Sequence, residues 1–156
     1  RDRSPSRGLG DVYKRQETGI AVAGVNKALF RTKSRTRLAM EAWMAEWAEY
    51  YDNDRVVIMQ IPRSLCLDYK ATEADVEELS SLAALVAGTD CGVTLRELEP
   101  GKVKISLRTG PRVNATKVCA LLGGGGHAAA AGATLSATLS EAKQAVLQAI
   151  DMVVGE

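Results

Sequence analysis

Residues 91–108 read CGVTLRELEPGKVKISLR. Cys91, Val93 and Leu95 alternate with other residues, Glu99-Pro100-Gly101 supplies a turn, and Val103, Ile105 and Leu107 alternate against Lys104, Ser106 and Arg108. This period of two on both sides of a Pro-Gly turn predicts an antiparallel hairpin. Outside it the pattern becomes helical. Upstream, Thr72 and Asp75 have capping-box spacing, Val76, Leu79, Leu82, Leu85 and Val86 line one helical face, and Gly88 supplies a stop. Residues 55–61, ended by Pro62, form a short apolar run that reads as a buried strand. Downstream, Asn114 is placed to cap a helix carrying Val118, Leu121 and Leu122, with Gly123 as its end. Residues 130–135 then suit a small-residue strand, and Ser140 opens a last helix with Val146, Leu147, Ile150 and Val153 on one side. Alternating strands and helices with one antiparallel hairpin predict an α/β fold: a mixed β-sheet flanked by helices.

Ahead of the sheet, Met40, Trp43, Met44, Trp47, Tyr50 and Tyr51 recur at helical spacing after Ser34, a candidate N-cap. They predict a long amphipathic connecting helix whose stripe packs on a neighbour and is also a candidate surface for a homodimer. A shorter helical piece is read at residues 25–31. Asp52-Asn53-Asp54 reads as a turn. Residues 1–16, RDRSPSRGLGDVYKRQ, are basic and lack any amphipathic period. They read either as a non-native, adapter-derived leader or as a disordered basic tail, and carry no weight for the fold. The organisation expected is therefore 1–16 as that tail, 17–54 as a helical connector and 55–156 as the principal domain.

Hydrophobic residues are 46% of the 156-residue chain, enough for a real core without disulfide or metal staples. Cys66, Cys91 and Cys119 are odd in number and form no CxxC pair, which points away from a disulfide framework or zinc site and towards the cytoplasm. The net charge of +1 supplies no global field for long nucleic acid or anionic membrane, so any anion must be caught locally.

One local device stands out. Residues 123–132 read GGGGHAAAAG. Successive glycines are conformationally costly, and one of them is explained as a helix C-cap. The rest predict either a concave nest of backbone N–H groups for an anion or a flexible linker. His127 adds a hydrogen-bonding imidazole. Because the glycines follow a helix C-terminus, whose dipole opposes an anion, a cation must help. Arg108, beside Lys104 and Ser106 on one strand face, is the first candidate, with Arg112 and Lys104 behind it.

The Gly-Gly-Gly-Gly-His-x-x-Ala-Ala-Gly motif, preceded by the Val-x-Ile-Ser-Leu-Arg strand, resembles the C-terminal, DHH-associated domain of DHH phosphoesterases. The similarity is greatest to the bacterial nanoRNase/pAp-phosphatase branch, which includes relatives that cleave linear or cyclic dinucleotides. It extends upstream through residues 26–30 and 33–38. The resemblance implies a hydrolase with nucleic-acid substrates in the cytoplasm. Its N-terminal domain holds two manganese ions on Asp and His residues, and its C-terminal domain closes over the substrate. The substrate-binding residues it implies are Arg108, Gly124, Gly125, Gly126 and His127. At 128 and 129, where relatives often carry larger polar residues, this chain has Ala-Ala.

The sequence contains no Asp-His-His triplet, and His127 is its only histidine. A two-metal site needs several converging ligands. Asp52 and Asp54 form a D-x-D without partner histidines, so this polypeptide carries no catalytic residues of that kind and is expected to be inactive alone. The leading reading is the substrate-binding half of a manganese-dependent phosphoesterase acting on short oligoribonucleotides, pAp or dinucleotides, with a catalytic domain as its partner in cis. The alternatives are a non-catalytic nucleic-acid-binding module like the C-terminal domain of alanyl-tRNA synthetases, which calls for a larger basic surface, and a small-molecule regulatory domain with an incidental glycine run.

Overall fold

The computed structural model describes residues 32–155, of which those from Arg35 onwards form one compact unit. The readings made for residues 1–31 lie outside the described residues. A six-stranded sheet is built from β1 (Glu49–Tyr51), β2 (Val56–Ile61), β3 (Cys91–Glu99), β4 (Lys102–Thr109), β5 (Gly125–His127) and β6 (Ala130–Leu135), in the order β1-β2-β3-β4-β6-β5. Only β2 and β3 pair in parallel, through a helical crossover; every other neighbour is antiparallel. The mixed sheet flanked by helices is thus present, preceded by helix α1 (Arg35–Glu46).

Strand β2 explains the crossover. All but one of its residues are buried, because its alternate side chains feed cores on opposite faces. Val56 and Ile58 join Val93, Leu95, Val103, Ile105 and Leu107 under helices α4 (Ala115–Leu121) and α5 (Leu139–Val154). Val57, Met59 and Ile61 instead meet Met40 and Met44 of α1, Leu65 of α2 (Arg63–Asp68), Val76 of α3 (Glu73–Glu77), and Leu79 and Ala83 of a 3₁₀ segment (Glu78–Leu85). Each large aliphatic side chain so buried contributes about 1.5–3 kcal/mol. The second cover spans only part of its face. It meets β3 at Gly92, where an added Cβ would lie 2.5 Å from the Ala84 backbone nitrogen, and at Thr94, whose hydroxyl donates to the Ser80 carbonyl at 3.1 Å. Beyond Thr94, no described helix is in the core cluster with β4, β6 or β5 on that face.

Local details depart from the sequence reading. The helix expected to run from the Thr72 cap to Gly88 is a five-residue α-helix continuing as a 3₁₀ segment. The reciprocal Thr72–Asp75 capping box is present, but Leu85 is 77% exposed. The tighter 3₁₀ turn rotates its side chains out of the α-helical stripe. The connecting helix ends at Glu46, so only Met40 and Met44 of its stripe are fully buried. Trp47 is exposed, and Tyr50 and Tyr51 lie in edge strand β1. Sheet pairing with β2 overrides the helical period there. The last helix is capped by Thr138, through a capping box with Glu141, and not opened by Ser140. Asp52, Asn53 and Asp54 do form a turn, with φ values of 55°, 56° and 65°. Lys143 of α5 and the Tyr51 hydroxyl both donate to the Glu49 carboxylate, at 2.9 and 2.7 Å, fastening β1 to the last helix.

Candidate functional site

The half-covered face of the sheet forms a cleft. The register fixes its floor in rows across the strands. Gly92, Arg108, Ala130 and His127 occupy one row; Thr94, Ser106, Gly132 and Gly125 the next; Arg96, Lys104 and Thr134 a third. Directly paired residues share a face, so the small residues of β6 and β5 leave open space beside the cations of β4. The cleft has a volume of about 290 Å³ and is walled on the other side by Val76, Glu77 and Ser80.

Three cations line it: Arg96, Lys104 and Arg108. Arg96 is occupied, its guanidinium donating to both Glu73 carboxylate oxygens at 2.8 and 2.9 Å. Those hydrogen bonds hold the Glu73 carboxyl below its usual range and raise Arg96 above its own, so both stay charged. Lys104 and Arg108 form no ion pair with any described residue. They are the cleft cations not held in a carboxylate fork, although Lys104 stands near enough to Glu73 to favour its ionised form, and both can meet an incoming anion.

The glycine run forms neither the nest nor the flexible linker that the sequence offered. Gly123, at φ 82°, donates to the Ala120 carbonyl at 3.1 Å, and Gly124 donates to the Cys119 carbonyl at 2.8 Å. This paired capping pattern closes α4 and consumes both amides. Gly125, Gly126 and His127 then become β5, the edge strand of the sheet. Helix-end carbonyls need donors and an extended strand can add to β6, and both demands outweigh a free loop.

The glycines serve different ends. A Cβ on Gly124 would strike the Gly132 carbonyl oxygen and the Ala133 side chain, and one on Gly126 would lie 2.6 Å from the Ala131 Cα. Gly126 also has a φ of 149°. These two glycines permit the close approach of β5 to β6. A Cβ on Gly125 meets nothing within 4 Å. Among these three, Gly125 is the one whose missing side chain opens into free space and not into the protein.

His127 is exposed, at the end of β5, and is not part of the cleft lining. Through Ala130 it shares a row with Arg108, two strand spacings away, or roughly 10 Å between backbones. Arg112 stands apart, mostly exposed and 4.0 Å from Asp90. Ala128 and Ala129, without polar side chains, work through their carbonyls. Ala128 accepts from the Ala115 amide at 2.8 Å and the Thr109 hydroxyl at 3.1 Å, and Ala129 accepts from the Thr109 amide at 3.0 Å. The β5–β6 turn is thereby fixed to β4 and to the start of α4.

The sequence reading missed Arg96, Thr94, Glu77 and Ser80 as cleft residues. The first two were legible: the turn at Pro100-Gly101 sets Thr94 opposite Ser106 and Arg96 opposite Lys104. The other two arrive through the crossover and leave no such signal. Burial, and then the neighbouring Cys119, pushes the Cys91 thiol up to about 12, so it takes no part as a nucleophile.

Comparison with known proteins supplies the lineage. The chain is 42% identical over 79 residues to the bifunctional oligoribonuclease and PAP phosphatase NrnA of Thermus thermophilus, an alignment covering 50% of this chain and 24% of that protein. Its fold is similar to an exopolyphosphatase-related protein from Bacteroides fragilis, with a TM-score of 0.79 and 20% identity over 97% of this chain and 45% of that one. It is also similar to the pGpG-specific phosphodiesterase PggH from Vibrio cholerae, with a TM-score of 0.54 and 13% identity over 78% of this chain and 40% of that one. The chain therefore spans about a quarter of the curated relative and under half of either solved structure. With residues 53–156 matched by the DHHA1 domain model, the chain belongs to the DHHA1 domain family of the DHH phosphoesterases.

Proposed function

We propose that this domain is the substrate-holding half of a metal-dependent phosphoesterase, and that its cleft receives the phosphoryl group of a short oligoribonucleotide, pAp or a dinucleotide. The carrying observation is that Lys104 and Arg108 face open space over a floor of Gly125, Gly132 and Ala130, neither of them within ion-pair distance of a carboxylate among the described residues. An ammonium and a guanidinium so placed offer charge-assisted hydrogen bonds to phosphate oxygens, and the glycine floor allows close approach. The relative's own activity on oligoribonucleotides and PAP, and the neighbour's on pGpG, support the substrate class. Gly124 and Gly126 enter as the residues that set β5 in place, and His127 as an exposed group at the outer end of the Arg108 row.

DHHA1 domains occur with an N-terminal DHH domain in their parent enzymes. Manganese belongs to that partner in this proposal, since this chain's residues do not fit it: there is one histidine in the sequence and no group of three His, Cys, Asp or Glu donors among the described residues. No hydrolytic step is assigned to this chain. Its part is to neutralise phosphate charge and fix the substrate's register.

Calorimetric titration of the chain with pAp and with diadenylate is expected to show weak, saturable binding of both, and a gel shift with tRNA to show none. Binding of tRNA without either small ligand would favour the alanyl-tRNA-synthetase-like alternative and overturn the assignment.

A further inference from the structure

The cleft is not uniformly basic. Its floor carries the three cations, but the wall above Arg96 is acidic. Residues 73–78 read EADVEE, and their four carboxylates are not equivalent. Asp75 accepts from the Thr72 amide at 3.0 Å in the capping box, and Glu78 lies 3.6 Å from Arg37. Glu73 grips Arg96 at the cleft margin, and Glu77 lines the cleft itself without an ion-pair partner among the described residues. Glu77 is also near enough to favour the charged form of Arg96. A phosphate entering from the β5 side meets Arg108 and Lys104. A further phosphate carried towards α3 meets Glu77, and then an arginine already satisfied by Glu73.

We infer that Glu77, with Glu73 behind it, is a specificity determinant that limits ligand length by repelling the next phosphate of a longer strand from the α3 end of the cleft. This rests on the phosphate-binding reading above and adds a direction to it: the ligand's phosphorylated end lies at Arg108, and its chain cannot continue past Lys104 over α3. Long nucleic acid gains affinity by adding phosphate contacts; here the next contact is a carboxylate.

The test is calorimetric titration of the 156-residue chain with adenylates two and five nucleotides long, at low and at moderate salt. Glu77→Gln removes one charge at an exposed position and leaves the Arg96–Glu73 pair in place, so the fold is retained. In this variant the five-nucleotide ligand is expected to gain about fivefold relative to the two-nucleotide ligand, the size of a single screened charge repulsion at several ångströms. Glu73→Gln is expected to move the ratio the same way, and added salt to shrink the gain. Loss of stability alone would weaken both ligands together and leave the ratio fixed. A ratio unchanged in both variants while the wild-type chain binds both adenylates overturns this inference and leaves the phosphate site standing. Wild-type protein that binds neither overturns the phosphate site, and the inference falls with it.

Discussion

Replacing Lys104 and Arg108 together by alanine is expected to weaken pAp binding at least about a hundredfold. A hydrogen bond to a charged group contributes about 1.5–3 kcal/mol, so losing two costs roughly 3–6 kcal/mol, where each 1.4 kcal/mol is tenfold in affinity. The fold is expected to survive, because neither side chain is buried and neither holds an ion pair with a described residue. His127→Ala is expected to cost less than about tenfold, since the imidazole stands outside the cleft lining and contributes at most one hydrogen bond. Calorimetry on the double variant and on His127→Ala separates the contributions. An unchanged dissociation constant in the double variant would move the phosphate site elsewhere on the molecule.

Two neighbouring glycines are expected to fail in opposite ways. Gly126→Ala places a Cβ 2.6 Å from the Ala131 Cα at a backbone φ of 149°. Backbone strain and overpacking of this kind together cost about 2–5 kcal/mol, which for a domain of this size is a fall of about 10 °C or more in melting temperature. Gly125→Ala meets no atom within 4 Å and is expected to melt like the wild type. Its methyl group projects over the cleft floor beside Gly132, however, and is expected to weaken phosphate binding about tenfold by holding the ligand off the sheet, a loss of about 1.4 kcal/mol. Thermal melts and titrations of both variants check the pair. If Gly125→Ala bound pAp as tightly as the wild type, the floor of the cleft would not be the contact surface.

The hairpin at residues 91–108 was readable because a period of two around Pro100-Gly101 has few other solutions, and the placement of Arg108 beside Lys104 followed from it. The capping residues Thr72 and Asn114 were readable for the same reason, since their partners lie three residues away and need no tertiary knowledge. The glycine run was not. Its composition marks a place where side chains are excluded, but the excluding neighbours, Gly132, Ala131 and Ala133, are set by sheet pairing that composition does not encode. A helix cap followed by an edge strand and an anion-binding nest demand the same residue. The acidic wall was hidden for a related reason: Glu77 sits in a charged run that reads as a solvated helix face until the crossover folds it over β3 and β4. Tyr50 and Tyr51 show the converse, a helical period continued by chance into a strand that β2 recruits.

The most direct measurement is the map of amide chemical-shift changes in the isotopically labelled chain as pAp is added. A phosphate seated between β4 and the edge strand shifts the amides of Ser106, Arg108, Gly125 and Gly132, with Lys104 following, and leaves unmoved a second, apolar groove that α1 and the 3₁₀ segment line with Leu38, Leu82 and Leu85. Changes centred on that apolar groove, or on Arg112 and Asp90, with the Gly125 and Arg108 amides still, would contradict the account.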